Sequence, residues 1–370
     1  MYNINESPIT NFSKHLKSKK NSIDLTIGEP YLITPTKIKK ATIKALKQNK
    51  TKYSSSFGNI QLIDSILEYE KNKNNYLYKR ENVIITTGAT ASIYLSLCTI
   101  LQENDEVIIP CPFYPDYKQV LDYNKCKMVL LETKKNNYQI DYSELKSKIT
   151  QKTKCIIINS PNNPTGCIYD KKSIENIYLI IKEFNLFLLL DNCYEQIKIN
   201  NEINNFSKYP DIKNQIIICQ SFSKTYFMTG WRLGYLICND YLIKKINTLY
   251  QTINVCTNTF IQYGGIIAFK INLKKYQKIY NKHLNYAYNK IKKIGLDVYK
   301  PLGAIYLFPS IKKINLSSDK FCIELLEKYN VGVMPGICFG ADDHVRINFM
   351  VKFKKLKKGL KLLYKYIKNR

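Results

Sequence analysis

Lys224 stands in Ser221-Phe222-Ser223-Lys224, and eight residues on Arg232 follows inside Thr229-Gly230-Trp231-Arg232-Leu233-Gly234. An amine beside two hydroxyls and a guanidinium can form an imine with an aldehyde while the neighbours hold a phosphate on the same molecule. Three further polar groups have related positions. Asn163, Asp191 and Ser221 each come just after a short, unbroken apolar run, at 155–158, 187–190 and 216–219 respectively. In an open α/β sheet, the space outside the carboxyl ends of such strands is the ligand crevice. Thr87-Gly88-Ala89-Thr90 lies between another apolar run, 83–85, and a helix-like segment, 91–101. A helix start of that kind offers free N–H groups to an anion, although as a local pattern it also reads as an ordinary strand-to-helix turn capped by Thr90.

These positions presuppose a scaffold. The runs at 83–85, 107–109, 155–158, 187–190 and 216–219 lack polar alternation, the mark of strands covered on both faces. Helix-like segments at 91–101, 173–184 and 276–294 alternate with them or follow them. The expected fold is therefore α/β, a mainly parallel sheet doubly covered by helices. Beyond Lys224 come longer helices, then two strand-like stretches, Gly303-Ala304-Ile305-Tyr306-Leu307-Phe308 and Val345-Arg346-Ile347-Asn348-Phe349. They point to a smaller α+β domain. The expected division is a large domain over 38–280 and a small one from 1–37 and 281–370, its boundary falling within the long helix near residue 280.

Composition excludes several classes. The 370 residues carry 57 Lys+Arg against 29 Asp+Glu, a net charge of +28, but the lysines are spread along the chain among many Asn, Ile and Tyr. Such a spread reads as a solvated basic surface that attracts anions over distance, with no nucleic acid partner. Eleven cysteines without C-x-x-C spacing indicate a reducing, cytoplasmic setting. Three scattered histidines, His15, His283 and His344, make a metal site unexpected. No apolar run reaches the ~18 residues of a membrane span, so no membrane association is expected. Neither G-x-G-x-x-G nor a P-loop occurs, which argues against a dinucleotide or nucleoside triphosphate site.

Asn159-Ser160-Pro161-Asn162-Asn163-Pro164-Thr165-Gly166, then Asp191-Asn192-Cys193-Tyr194, the Ser221 to Arg232 block and Val345-Arg346 together resemble, in order and spacing, the class I aminotransferases. These are fold-type I pyridoxal-phosphate enzymes, and the similarity runs from about Gly28 to the C-terminus. The resemblance implies pyridoxal 5′-phosphate as cofactor, with Lys224 forming the imine and then carrying a proton between the substrate α-carbon and the cofactor. It implies Asp191 on the pyridine nitrogen, Asn163 and Tyr194 on the ring 3′ oxygen, and Tyr114 stacked on the ring. The phosphate falls to Ala89, Thr90, Ser221, Ser223 and Arg232. Tyr53 resembles the tyrosine that reaches the partner subunit's phosphate, implying a homodimer with shared active sites. Arg346 would take the substrate α-carboxylate, with Gly28 in a segment that closes over it.

Three positions depart from the family pattern: Asn192 replaces an acidic residue, Tyr31-Leu32 follows Gly28-Glu29-Pro30, and Ile63 stands where an arginine is usual. They bear on loop packing and substrate fit. The 295–310 region is similar to the bacterial branch holding N-acetyl-diaminopimelate and aromatic amino acid aminotransferases. The expected activity is transfer of an amino group from an amino acid to a 2-oxo acid, 2-oxoglutarate foremost, in two half-reactions. The alternatives are β-elimination from cysteine conjugates with the same cofactor and a non-enzymatic, DNA-binding regulator of aminotransferase-like shape.

Overall fold

The computed structural model describes residues 8–19, 21–199 and 205–370. In chain order the first strands are β1 (Ile23–Asp24), β2 (Val83–Thr86), β3 (Glu106–Cys111), β4 (Lys127–Glu132), β5 (Thr153–Asn159), β6 (Phe187–Asp191), β7 (Ile216–Ser221) and β8 (Gly234–Ile237). The seven from β2 onward form one sheet in the order β2-β8-β7-β6-β5-β3-β4. β3 to β7 pair in parallel, and β8 alone opposes its neighbours β2 and β7. Every residue of β2, β3, β7 and β8 is buried, as continuous apolar strands between helical layers require. One apolar cluster lies on each face of this sheet, one around Ile156, Ile158 and Ile218, the other around Ile157, Leu189 and Ile217. Neighbouring residues of each strand thus face opposite layers.

The expected runs appear as strands slightly longer than read, and the segments at 91–101, 173–184 and 276–294 appear as helices Ala89–Ile100, Lys171–Phe184 and Lys274–Ile294. Thr90 is not the cap expected from the local pattern: Gly88 occupies that position, and the helix begins at Ala89. β4 and β8 lay outside the expected set. β4 is an edge strand whose first four residues are exposed or half-exposed; its apolar run, Met128 to Leu131, is not among the runs read as strands.

The remaining strands are β9 (Tyr306–Leu307), β10 (Val331–Gly332), β11 (Met334–Pro335) and β12 (Val345–Asn348). β12 lies between β11 and β9, antiparallel to both, while β10 pairs with β1. A third apolar cluster joins Leu25, Tyr280, Leu284, Phe308, Phe349 and Leu363. It brings both ends of the chain together beside the carboxyl edge of the large sheet, where Asn348 Nδ2 donates to the carbonyls of Ile27 and Glu29, the latter at 2.9 Å.

Behind that edge lie two carboxylates, Glu70 buried among neutral partners and Glu195 half-buried with the charge of Lys198 nearby. Glu70 accepts from Tyr235 Oη at 2.7 Å and Asn74 Nδ2 at 2.8 Å. Glu195 accepts from Gln220 Nε2 at 2.7 Å, and Gln220 Oε1 in turn accepts the Ser221 backbone N–H at 2.9 Å. Burial pushes the Glu70 carboxyl up to about 8, and the nearby charge of Glu195 adds to the rise. Because the folded pKa lies above the unfolded one, Glu70 contributes fully to stability only below about pH 4, and this contribution is lost as pH rises towards about 8. Glu70→Gln keeps an acceptor for Tyr235 but cannot ionise. Its apparent Tm relative to wild type is expected to climb between pH 5 and pH 8.5 by on the order of 2–4 °C. A pH-independent difference in thermal unfolding would contradict a titrating Glu70.

Candidate active site

Four strand ends meet at one edge of the sheet. Asn159 pairs with Asp191 across β5 and β6, Asp191 with Cys219 across β6 and β7, and Gly234 of β8 lies opposite both Ser221 and Thr86. Gly234 has a steric reason to be glycine. A Cβ there would sit 2.6 Å from the Gln220 carbonyl oxygen and 2.8 Å from Gly88, so the turn after β2 could not approach. Between these ends and β9 and β12 opens a cavity of about 430 Å³. Twelve of the thirteen residues singled out from the sequence line it: Gly28, Ala89, Thr90, Tyr114, Asn163, Asp191, Tyr194, Ser221, Ser223, Lys224, Arg232 and Arg346. Tyr53 does not; it is 83% exposed on the surface.

Lys224 Nζ donates to the Gly28 carbonyl at 2.8 Å, bridging the end of β7 to the N-terminal segment. Asp191 is held on both oxygens: Tyr117 Oη donates to Oδ2 at 2.6 Å and the Cys193 backbone N–H to Oδ1 at 3.2 Å. Burial raises its carboxyl pKa, partly offset by these hydrogen bonds and by the charge of Lys224. A cation placed against it would lower that pKa again.

The loop after β5 is wired to itself. Asn159 Nδ2 donates to the Asp191 carbonyl at 2.9 Å while its Oδ1 accepts the Asn163 N–H at 2.7 Å. Asn162 Oδ1 accepts from both Thr165 N and Oγ1, at 3.1 and 2.8 Å. Asn163 Oδ1 then accepts from Arg346 Nη1 at 2.9 Å, and Arg346 Nη2 donates to the Thr26 carbonyl at 2.8 Å. Arg346 Nε, buried, has no partner. Its guanidinium lies between two rings, 4.3 Å from the centroid of Tyr306 and 4.6 Å from that of Phe339.

On the opposite wall the helix Ala89–Ile100 starts behind Gly88 with no side chain capping it. Its first N–H groups therefore face the cavity without an intrahelical acceptor. Arg232, in left-handed conformation at φ 52°, turns its guanidinium over Gly88, where a Cβ would meet Nη2 at 3.0 Å. Holding a non-glycine residue there costs about 1 kcal/mol, which the burial of Leu233 and the pairing of β8 offset. Ser221 Oγ accepts the Ser223 N–H at 3.0 Å, fixing the turn that carries both hydroxyls.

Only four of the 57 Lys+Arg residues are arginine, and two of these four, Arg232 and Arg346, line this cavity. The other two, Arg80 and Arg370, are ion-paired with Asp64 and Glu324, whereas among the described residues Arg232 and Arg346 face no carboxylate at ion-pair distance. In a chain this rich in lysine, the planar fork stands where two anions would need bidentate partners.

Among the cavity and supporting residues to which the sequence reading gave no site role, four bear on the chemistry. Tyr117 holds Asp191; nothing local distinguishes it among 30 tyrosines. Asn159 was part of a recognised motif but without a role, and Tyr306 was read only as a strand residue. Asp116, bonded to the Tyr114 hydroxyl, lines the cavity beside Asp191, and burial followed by that like charge raises its pKa. Tyr114 meets Tyr117 edge to face, centroids 5.4 Å apart.

A family model of class I and II aminotransferases matches residues 20–363. The Probable N-acetyl-LL-diaminopimelate aminotransferase of Bacillus subtilis is 32% identical over 370 residues, covering 98% of this chain and 94% of that protein. The aspartate aminotransferase of Sulfurisphaera tokodaii is 35% identical over 358 residues, covering 93% and 90%. The crystal structure of an aromatic aminotransferase from Pyrococcus horikoshii superposes with a TM-score of 0.92 at 30% identity, over 97% of this chain and 99% of that one. The chain belongs to the class I and II aminotransferases, enzymes that depend on pyridoxal phosphate. The cavity fits that group. A phosphate matches the uncapped helix start, the paired serines and Arg232; a ring cation matches buried Asp191; an aldehyde matches the Lys224 amine.

Proposed function

We propose that this aminotransferase takes the amino group of an aromatic, aspartate or N-acetyl-diaminopimelate-type donor and passes it to 2-oxoglutarate, alternating the two half-reactions at one cavity. The names of the relatives support this range of donors. The observation that carries the reading is Arg346, a buried guanidinium whose Nε lacks a partner and whose acceptors are all neutral. Burying such a charge without a counterion is costly, and the α-carboxylate that every donor shares would complete it.

When bound, the cofactor supplies the electron sink that makes the donor's α-proton acidic. In this reading Lys224 Nζ holds the aldehyde end, then takes and returns the α-proton. Asp191, oriented by Tyr117, keeps a proton on the ring nitrogen. Asn163 and Tyr194 donate to the ring oxygen, and Tyr114 covers the ring face. Ala89, Thr90, Ser221, Ser223 and Arg232 fix the phosphate, and the Gly28 segment, tied to Asn348 through its neighbours, closes beside Arg346.

We further propose a homodimer in the cytoplasm, with Tyr53 completing the partner's phosphate site. Supporting this, exposed Tyr53 and Ile253 lie on segments joined by Gln251 to Ser56 at 2.9 Å and Thr259 to the Lys52 carbonyl at 2.6 Å. All eleven cysteines are free. Residues 38–280 would form the cofactor-binding unit, with 1–37 and 281–370 as the smaller one.

A donor panel tests the reading. With 2-oxoglutarate present, glutamate should appear with at least one donor of the three types. Pyruvate and thiol release from cystathionine without glutamate formation from any donor would replace transamination by β-elimination.

A further inference from the structure

We infer that Tyr306 is a positioning residue for two parts of the site at once: its hydroxyl sets the direction in which Tyr194 donates, and its ring backs Arg346. The inference rests on the reading that Tyr194 faces the cofactor's ring oxygen. The two hydroxyls lie 2.7 Å apart, both rings are buried, and the rings meet edge to face with centroids 5.8 Å apart. Among the described residues neither hydroxyl has another protein partner. Two phenols at that distance share one hydrogen between them and leave one free.

Which hydrogen stays free depends on what surrounds the pair. On distance alone either hydroxyl could donate to the other, and the Arg346 guanidinium, 4.3 Å from the Tyr306 ring centroid, lies close to both. In the reading that Tyr194 spends its one hydrogen on the cofactor's ring oxygen, Tyr306 has to donate to Tyr194. Accepting one hydrogen bond strengthens the one donated, so the pair acts as a polarised chain. The other titratable or charged neighbours of Tyr194 are Cys193 and Arg346 itself, while Lys224 reaches the Gly28 carbonyl. A Cβ on Gly28 would come 2.6 Å from Tyr306 Oη, so the same hydroxyl also sets how near the N-terminal segment approaches. Tyr306 itself is fixed by strand pairing: it lies opposite Asn348 in the ladder of β9 with β12, the strand that carries Arg346.

Tyr306→Phe keeps the ring under Arg346 and removes the hydroxyl. In the cofactor-loaded enzyme, Tyr194 then becomes a weaker donor and the ring oxygen more basic. The pH midpoint of the bound cofactor's visible absorbance change should rise by about half to one unit. The donor KM should stay within about twofold, since the contact to Arg346 survives. Tyr306→Leu should show the same rise and also increase the donor KM by about three- to thirtyfold, the span of a lost cation–π contact. In a Tyr194→Phe background, Tyr306→Phe should no longer move the midpoint.

Borohydride reduction followed by peptide mapping separates two kinds of failure. If wild type carries the label on the Lys224 peptide and Tyr306→Phe leaves the midpoint unmoved, the inference falls while the reading of the site stands. If wild type carries no label at Lys224, the reading falls and takes the inference with it.

Discussion

Lys224→Ala is expected to fold, to bind pyridoxal phosphate without a covalent link, and to lose turnover by about 10⁴-fold or more, the upper range for removing a positioned acid–base group. The fold should survive because Lys224 is half-buried and its amine makes one hydrogen bond, to the Gly28 carbonyl at 2.8 Å. Truncation leaves that single acceptor beside a cavity open to water. The cofactor should still enter, because the phosphate cradle of Arg232, Ser221, Ser223 and the helix start at Ala89 is unaltered, and so is Asp191. What disappears is the one amine lining the cavity among the described residues: Arg232 and Arg346 are the other cations there, and a guanidinium does not lose its proton in this range. Two readouts divide the claim. Borohydride should trap label on the Lys224 peptide of wild type and nowhere in the variant, while the variant's phosphate and absorbance should still show bound cofactor. Retained turnover, or label on another peptide, would remove Lys224 from the chemistry.

The parts of this site that could be read in the sequence are those attached to strong local signals. Unbroken Ile-rich runs announce β5, β6 and β7, and the residues that end them, Asn159, Asp191 and Ser221, pair or neighbour one another in register across the sheet. Parallel strands put their carboxyl ends on one edge, so recognising the strands was almost enough to gather the polar groups. Arg346 followed from a resemblance, and its neighbourhood did not: the contacts to Thr26 and Asn163 span 320 and 183 residues. Such separations leave no trace in spacing. Tyr117 and Tyr306 were hidden by abundance, each one phenol among 30.

Glu70 is a different kind of miss. It lies four residues after Ile66 and seven after Ile63, on the buried stripe of the helix Ile60–Asn74. A carboxylate at an apolar position of a helical repeat is itself a signal of a buried polar partner, in this case Tyr235 on β8. β8 escaped for a reason of topology. Its apolar run, Tyr235 to Cys238, is as long as runs read as strands but directly follows the Arg232 block, and its reversed direction depends on β2 and β7 flanking it. The exposed Tyr53 shows the converse limit, since its proposed partner is a second subunit and no contact within one chain bears on it.

Asp191→Asn should reduce kcat by at least about two orders of magnitude while changing cofactor occupancy little at saturating pyridoxal phosphate. Asparagine preserves the shape, and its oxygen can still accept from Tyr117 Oη, now 2.6 Å from Oδ2. The amide that replaces the other oxygen faces the Cys193 N–H, donor against donor, so the ring of contacts holds on one side only. What is lost is the charge. A hydrogen bond to a charged group is worth about 1.5–3 kcal/mol, and each ~1.4 kcal/mol of barrier is a factor of ten in rate. Losing that interaction where the ring must withdraw electrons thus accounts for about a hundredfold at its upper end, before any change in the ring's own protonation. Burial works in the same direction: it already raises the Asp191 pKa, and what favours the ionised form is its hydrogen bonds and, after them, the nearby charge of Lys224. Asp191 and a ring proton therefore stabilise each other, and each loses its reason to be charged when the other is removed. The discriminating measurement is the kinetic isotope effect on α-deuterated donor. It should grow in Asp191→Asn as α-proton removal by Lys224 becomes the slow step, whereas an unchanged isotope effect and near-normal kcat would mean that Asp191 serves only to anchor Tyr117 and the end of β6.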